Sequence, residues 1–244
     1  MENTTYIALS RQMVLRREMD IIAHNLANAE TPAFKGDDML FVEYLSRPER
    51  RNPPMSFVQD FAVIRNTTEG PMATTGNDLD FALHGAGYFV VDTPEGERYT
   101  RVGRFQLDAD GRLVTAQGHP VLDTAGAPIF IPFDEGEVDE IAVARDGTVS
   151  VDGVPLARIA VVRFENEQAM ERLAGGLYGT DQPPLPAFDT EIVQGMVEES
   201  NVQPILELTR MIAVTRNYQA TQNLVDTEHE RQRRGISTIV SANA

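Results

Sequence analysis

Apolar residues in this chain fall into three regimes. Near the start, Leu15, Met19, Ile22 and Leu26 recur at i, i+4, i+7 and i+11, one face of a helix. Ile7, Val14 and Ile21 make a second stripe seven residues apart. The pattern predicts a helix over residues 5–28, apolar on two sides and therefore flanked by two neighbours. Pro32 disfavours helical geometry at Thr31, so the helix should stop near Asn28 to Glu30. At the far end Leu208, Met211, Thr215, Tyr218, Gln222 and Val225 alternate by three and four, a coiled-coil-like seam within a helix expected over 203–240. Ile205 and Ile212 add a second line. Asn201 is placed to cap this helix, with Pro204 at an early helical position.

Between the ends the period changes. Residues 36–75 have weak periodicity and read as an extended linker, with a polar, proline-rich stretch over 46–54. From about residue 76 short β segments follow: Tyr88–Val91, Val121–Leu122, Ile129–Ile131, Ile141–Val143, Val149–Val151 and Ile159–Phe164. The dipeptides Glu95-Gly96, Asp110-Gly111, Asp146-Gly147 and Asp152-Gly153 punctuate them, and Asp-Gly favours the positive φ of tight hairpin turns. The Gly/Pro-rich stretch 175–189 returns the chain toward its end.

The expected fold is mainly β with α: a central antiparallel β domain flanked by terminal helices that pair. The expected divisions are an N-terminal helical segment over 1–35, the linker over 36–75, the β domain over 76–190 and a return segment and helix over 191–244. Two helices kept for the extreme ends, with stripes that must be buried, point to a self-assembling structural protein.

Charge sharpens that picture. The formal net charge is −16. Residues 1–35 sum to zero and residues 196–244 to −1, so the middle carries −15. Near-neutral ends suit close packing, and an acidic middle stays solvated. No basic face exists to release counterions, which argues against nucleic acid. The absence of cysteine excludes disulfides and thiolate metal sites. The opening Met1-Glu2-Asn3-Thr4-Thr5 lacks the basic and apolar regions of a secretory signal peptide. No apolar run approaches the ~20 residues that span a bilayer.

Catalytic and ligand motifs fail on inspection. Asp108-Ala109-Asp110-Gly111 hints at a calcium loop, but Leu113 and His119 stand where the loop needs Gly and Glu. Gly85-Ala86-Gly87 opens like a dinucleotide loop, yet Val90 occupies the third glycine's place and β structure follows. His24, His84, His119 and His229 have no metal-ligand spacing, and there is no nucleophile elbow. The expectation is no catalytic residue, no cofactor, no metal and no small-molecule substrate.

Asp20-Ile21-Ile22-Ala23-His24-Asn25-Leu26-Ala27-Asn28-Ala29-Glu30-Thr31-Pro32-Ala33-Phe34-Lys35 resembles the N-terminal signature of bacterial flagellar rod and hook proteins, D-x-x-A-x-N-[IL]-A-N-x-x-T-x-G-[FY]-[KR]. Ala33 stands where the family usually has Gly, which leaves the conformation at this position open. Residues 75–89, from Thr75-Gly76 to Tyr88-Phe89, look like the family's T-G-x-x-L-D-x-A-I-x-G-x-G-[FY]-F segment. Tyr99-Thr100-Arg101-Val102-Gly103-Arg104-Phe105 is similar to its Y-T-R-x-G-x-F, and Glu199-Ser200-Asn201-Val202 to its E-x-S-N-V. Met211-Ile212 and Arg216-Asn217-Tyr218-Gln219 resemble the helix that follows. Length and ends look more like a proximal-rod than a distal-rod member; hook proteins are longer.

The resemblance implies a rod subunit whose terminal helices pair into an inner tubular layer, with the β domain outside. It implies partners among copies of itself and other rod subunits, and export through the flagellar type III apparatus without a cleavable signal or membrane insertion. The residues expected at the assembly interface are Leu15, Met19, Ile22, Asn25, Leu26, Asn28, Asn201, Ile205, Leu208, Met211, Ile212 and Tyr218. For the three asparagines two roles stay open: register between segments through buried hydrogen bonds, or local capping. The rival from another class is a secreted β-domain binding module with helical oligomerisation arms.

Overall fold

A computed structural model describes residues 2–46, 55–132 and 140–242. Most of the proline-rich stretch 46–54 lies outside the described residues. The chain forms two compact units. One comprises Met1–Ala29, Gly36–Asn66 and Val202–Ala244; the other comprises Glu30–Lys35 and Thr67–Asn201.

The first unit is built on helix α1 (Glu2–Ala27), a hairpin of strands β1 (Asp37–Ser46) and β2 (Met55–Arg65), and helix α2 (Pro204–Ala242). α1 ends as expected: the Asn28 N–H donates to His24 and Asn25 carbonyls in a tightened last turn. α2 starts with Pro204, whose fixed φ and missing N–H cost nothing at a first helical position. Gln12 Nε2 donates to Gln222 Oε1 at 2.7 Å, and Thr215 Oγ1 lies 3.7 Å from the Met19 sulfur. The two helices therefore pack antiparallel.

The segment expected as a linker carries a hairpin instead. β1 and β2 pair from Asp37↔Arg65 to Ser46↔Met55, with a register shift between Leu40 and Phe41. That irregularity, and the unbroken run Met39-Leu40-Phe41-Val42, remove the period-two alternation by which a strand is read. Arg210 Nη1 on α2 pairs with Asp38 at 3.2 Å and with Glu207 at 3.2 Å, tying hairpin to helix.

In the second unit the chain runs β3 (Met72–Thr74), β4 (Phe81–His84), β5 (Tyr88–Thr93), β6 (Gly96–Thr100), β7 (Phe105–Leu107), β8 (Leu113–Thr115), β9 (Ile141–Val143), β10 (Thr148–Val151) and β11 (Val154–Arg158). It closes with β12 (Val161–Arg163), β13 (Glu171–Arg172), β14 (Leu177–Gly179), β15 (Leu185–Pro186), β16 (Glu191–Gln194) and β17 (Met196–Glu198). The largest sheet is six-stranded and antiparallel, in the order β13-β14-β6-β5-β12-β15. β5 is apolar at successive positions because both its faces are covered. Phe89 and Val91 enter a cluster with Phe81, Leu83 and Phe105, while Tyr88 and Val90 enter another with Tyr99 and Phe164. Asp152 and Gly153 take φ of 51° and 77°, the two positive values that a tight hairpin needs between β10 and β11. Val121–Leu122 and Ile129–Ile131 make isolated bridges rather than strands.

The compact unit is wider than the expected 76–190, because its outermost ladders use residues beyond both limits. β3 pairs with β17 and β4 with β16, so the first strands wait for the last. Gly103 marks a close crossing inside the unit: a Cβ there would fall 1.6 Å from the Phe81 carbonyl oxygen. Gly103→Ala is expected to destabilise this unit by about 2 kcal/mol or more. Amide exchange in β4 and β5 should accelerate; unchanged protection would show that the two backbones do not approach so closely.

Candidate assembly surface

The helix pair brings five of the twelve expected interface residues together. Leu15 and Ile22 on α1 bury against Val214 on α2, with Met19, Met211 and Tyr218 packed around them. Ile22 is 1% exposed. The inward line of α2 runs through Glu207, Met211, Val214, Tyr218, Thr221 and Val225. The expected seam is thus met at Met211, Thr215, Tyr218 and Val225 and displaced at Leu208 and Gln222, which are exposed. Apolar spacing alone misplaces it, since polar Glu207 and Thr221 face inward while Ile205, Leu208 and Ile212 face solvent. Leu26 is half-buried.

The three asparagines divide between the two roles. Asn25 is buried; its Nδ2 donates to the Asp37 carbonyl at 2.8 Å and its Oδ1 accepts from the Asp37 N–H at 2.9 Å. That reciprocal pair fixes the first residue of β1 against α1. Asn28 Nδ2 donates to the His24 carbonyl at 2.9 Å, a local bond within the helix end. Asn201 Nδ2 donates to the Thr68 carbonyl at 2.9 Å, joining segments 133 residues apart in the second unit.

The second unit holds an ionic clasp that the sequence reading missed. Glu198 accepts from Lys35 Nζ at 2.5 Å, from the Gly70 N–H at 2.9 Å and from Arg101 Nε. Lys35 also donates to the Thr68 carbonyl at 2.7 Å. Arg101 reaches the Gly87 and Leu83 carbonyls at 3.1 and 3.2 Å and the Glu69 carboxylate at 3.3 Å. The side chains of Lys35, Arg101 and Glu198 are almost wholly buried. Burial holds the Lys35 ammonium below the ordinary lysine range, and Glu198 beside it acts in the opposite sense. Lys35 and Arg101 were both visible inside motifs. Glu198 is the Glu of E-x-S-N-V, two residues before Ser200; the alignment on Glu199 is one residue out of register.

The conformation that the departure at Ala33 left open is the left-handed one. Its φ is +55°, so the glycine geometry is kept by an L-residue. The Ala33 N–H donates to the Glu198 carbonyl at 2.9 Å, and the Asn201 N–H to the Phe34 carbonyl at 3.1 Å, which hold the turn in place. Ala33→Gly would relieve strain but lose a buried methyl, so stability should change by less than about 1 kcal/mol. Ala33→Val adds a β-branch at positive φ and should cost about 2 kcal/mol or more. Thermal melts of the two variants would check this; a valine variant as stable as the parent would contradict the left-handed backbone.

The Asp146 carboxyl is held below its ordinary range by bonds from the Thr148 backbone and hydroxyl, as a turn residue. A cleft of about 380 Å³ beside it is lined by Arg145, Arg158, Phe188 and Thr190 among others. Among the described residues no group of His, Asp and Glu is placed to hold a metal, and no helix is long and apolar enough to cross a membrane.

Known proteins match along the whole chain. The family described as "Flagella basal body rod protein" matches residues 6–35, "Flagellar hook protein FlgE/F/G D1 domain" residues 82–151, and "Flagellar basal body rod FlgEFG protein C-terminal" residues 193–238. The chain is 40% identical to the flagellar basal-body rod protein FlgF of Caulobacter vibrioides, with all of both chains covered. It is 34% identical to FlgF of Rhizobium meliloti, over 98% of each chain. The distal-type alternative is further away: FlgG of Bacillus subtilis is 28% identical, covering 94% of this chain and 96% of that one.

Proposed function

Because the chain belongs to the flagellar basal-body rod protein family and is a structural subunit of that rod, nearer to FlgF than to FlgG, we propose that its paired terminal helices form the inner wall of a proximal-rod segment and that the β unit faces outward. It carries no catalysis. The observation that supports the reading is the antiparallel helix pair whose outer faces carry exposed apolar residues: Ile205, Leu208 and Ile212 on α2, and Tyr6, Leu9 and Met13 on α1. Exposed apolar lines of this kind invite neighbours. The near-neutral charge of the two terminal segments agrees with close packing. In this reading the subunit leaves the cytoplasm through the flagellar type III apparatus without a cleavable signal, and it transmits torque along the rod.

An image reconstruction of isolated basal bodies, with this chain traced, tests the layout. Helical density at the inner radius and β density outside it is the expected result. β density lining the lumen would defeat the proposal.

A further inference from the structure

The six-stranded sheet of the β unit ends in a ridge on one side and a groove on the other. At the β15 edge the chain runs Pro183-Pro184-Leu185-Pro186-Ala187-Phe188, and all of these but Ala187 are exposed. Phe188 is 88% exposed, more than any other large apolar side chain among the described residues. The run is held at both ends. Gln182 Nε2 donates to the Asn166 carbonyl at 2.9 Å, Leu185 pairs with Arg163, and Thr190 Oγ1 donates to the Ala86 carbonyl at 2.6 Å. Its prolines remove N–H groups from the edge, which blocks extension of the sheet by another strand. The edge offers side chains instead.

Beside β13 and β14, at the far edge, lies a second cleft of about 380 Å³. Pro94, Leu173, Ala174 and Leu177 give it apolar walls, and Arg98 and His119 give it polar ones. Leu177 and Val161 both pack with the Phe89 cluster, and Arg163 follows Val161 by two, so ridge and groove share one face of the sheet. Four strands separate β13 from β15, which puts the edges about 24 Å apart at 4.8 Å per strand. Phe188 therefore cannot reach the groove of its own chain.

We propose that Phe188 of one copy fills the groove between Leu173 and Leu177 of the next, joining β units edge to edge. This rests on the rod-subunit reading and adds a contact made outside the helices. Charge selects a second copy as the occupant. In the groove Arg98 meets only the Glu97 carbonyl at 2.9 Å and the Glu95 carboxylate at 3.3 Å, and the Glu95 side chain is 79% exposed, so that pair is weak. On the ridge Asp189, next to Phe188, is exposed and makes no ion pair among the described residues. Arg163 there donates to the Pro186 carbonyl at 3.2 Å and likewise meets no carboxylate. Each edge thus carries one cation and one carboxylate. Docking sets Asp189 on Arg98 and Arg163 on Glu95 around an aromatic anchor, a polar rim about an apolar centre. Since ridge and groove differ, the contact is heterologous. It leaves one of each free at every step and propagates as an open row instead of closing a dimer.

The chain has no cysteine, so thiols can be placed one at each edge, as Ala187→Cys and Ala174→Cys in the same chain. Basal bodies from cells making that chain would be treated with a bismaleimide much shorter than the ~24 Å between the edges. Dimers, trimers and longer covalent oligomers are expected, and none from either single variant. Phe188→Ser in the double-thiol chain should cut the oligomer yield about tenfold or more, whereas Phe188→Leu should keep it. Phe188 is exposed, so neither change touches the core. Basal bodies that contain the double-thiol chain but give no cross-link would overturn the contact and leave the rod reading standing. So would oligomers that stop at the dimer, or a yield indifferent to Phe188→Ser. Charge reversal gives a second reading without thiols: Asp189→Arg should shrink swim rings, and Arg98→Asp in the same chain should restore them. No loss, or no restoration, would also overturn the contact. Absence of the parent chain from basal bodies would remove the rod reading and the contact together.

Discussion

Ile22→Asp is expected to leave cells unable to swim while the protein is still made and its β unit stays folded. Ile22 sits at the centre of the α1–α2 seam against Val214. Losing its side chain alone should cost about 2–5 kcal/mol. Burying a carboxylate without a partner adds to that, and so would neutralising it there. Helix pairing is marginal without its apolar seam, because an isolated helix has little stability of its own. The β unit has separate cores around Phe89 and Tyr88 and should keep its slow-exchanging amides. Ile22→Val, which deletes one methylene, should cost only about 1 kcal/mol and preserve swimming. A motile Ile22→Asp strain would show that the seam does not have to form. A variant that loses protection in β5 as well would show that the two units do not fold separately.

Glu198→Ala should be the most damaging single change in the β unit. It strips the partner from Lys35 and Arg101 and leaves the Gly70 N–H without its acceptor. Removing one member of a buried ion network costs about 3–5 kcal/mol, since the charges left behind stay out of water. A second substitution separates that penalty from lost packing. In a Lys35→Met, Glu198→Ala double variant one stranded charge is gone, so the two losses should sum to more than the double variant shows, by about 1 kcal/mol or more. Urea unfolding followed by hydrogen exchange in β4 and β5 would measure each term. Strict additivity, or a loss under about 1 kcal/mol for Glu198→Ala, would mean the clasp is not a coupled unit.

The helices were legible because their signals are local: Pro32 ends α1, Pro204 opens α2, and the three-four spacing covers many turns. The face that turns inward on α2 was not. Leu208 and Met211 both satisfy an apolar stripe, and only a partner 196 residues away, Met19 against Thr215, decides between them. The β1–β2 hairpin was lost for a different reason: its irregularity at Leu40 and Phe41 breaks alternation where alternation is the signal. The clasp escaped because ion pairing at Glu198 leaves no periodicity. Three of its members lie inside recognisable motifs, yet nothing in one motif says that its charge faces another. Ala33 shows the limit of arguing from residue type, since two backbone hydrogen bonds around Glu198 and Phe34 hold an alanine where glycine is usual.

The order in which the clasp's residues are synthesised has its own consequence. A ribosome delivers Lys35 and Arg101 long before Glu198, and β3 and β4 long before β17 and β16. Until residue 198 appears, bringing Lys35 and Arg101 together would crowd two cations without their common anion, so premature closure is opposed by repulsion as well as by loop entropy. These two ladders cannot close until four-fifths of the chain is made, and the last strand to emerge supplies the charge that locks the others.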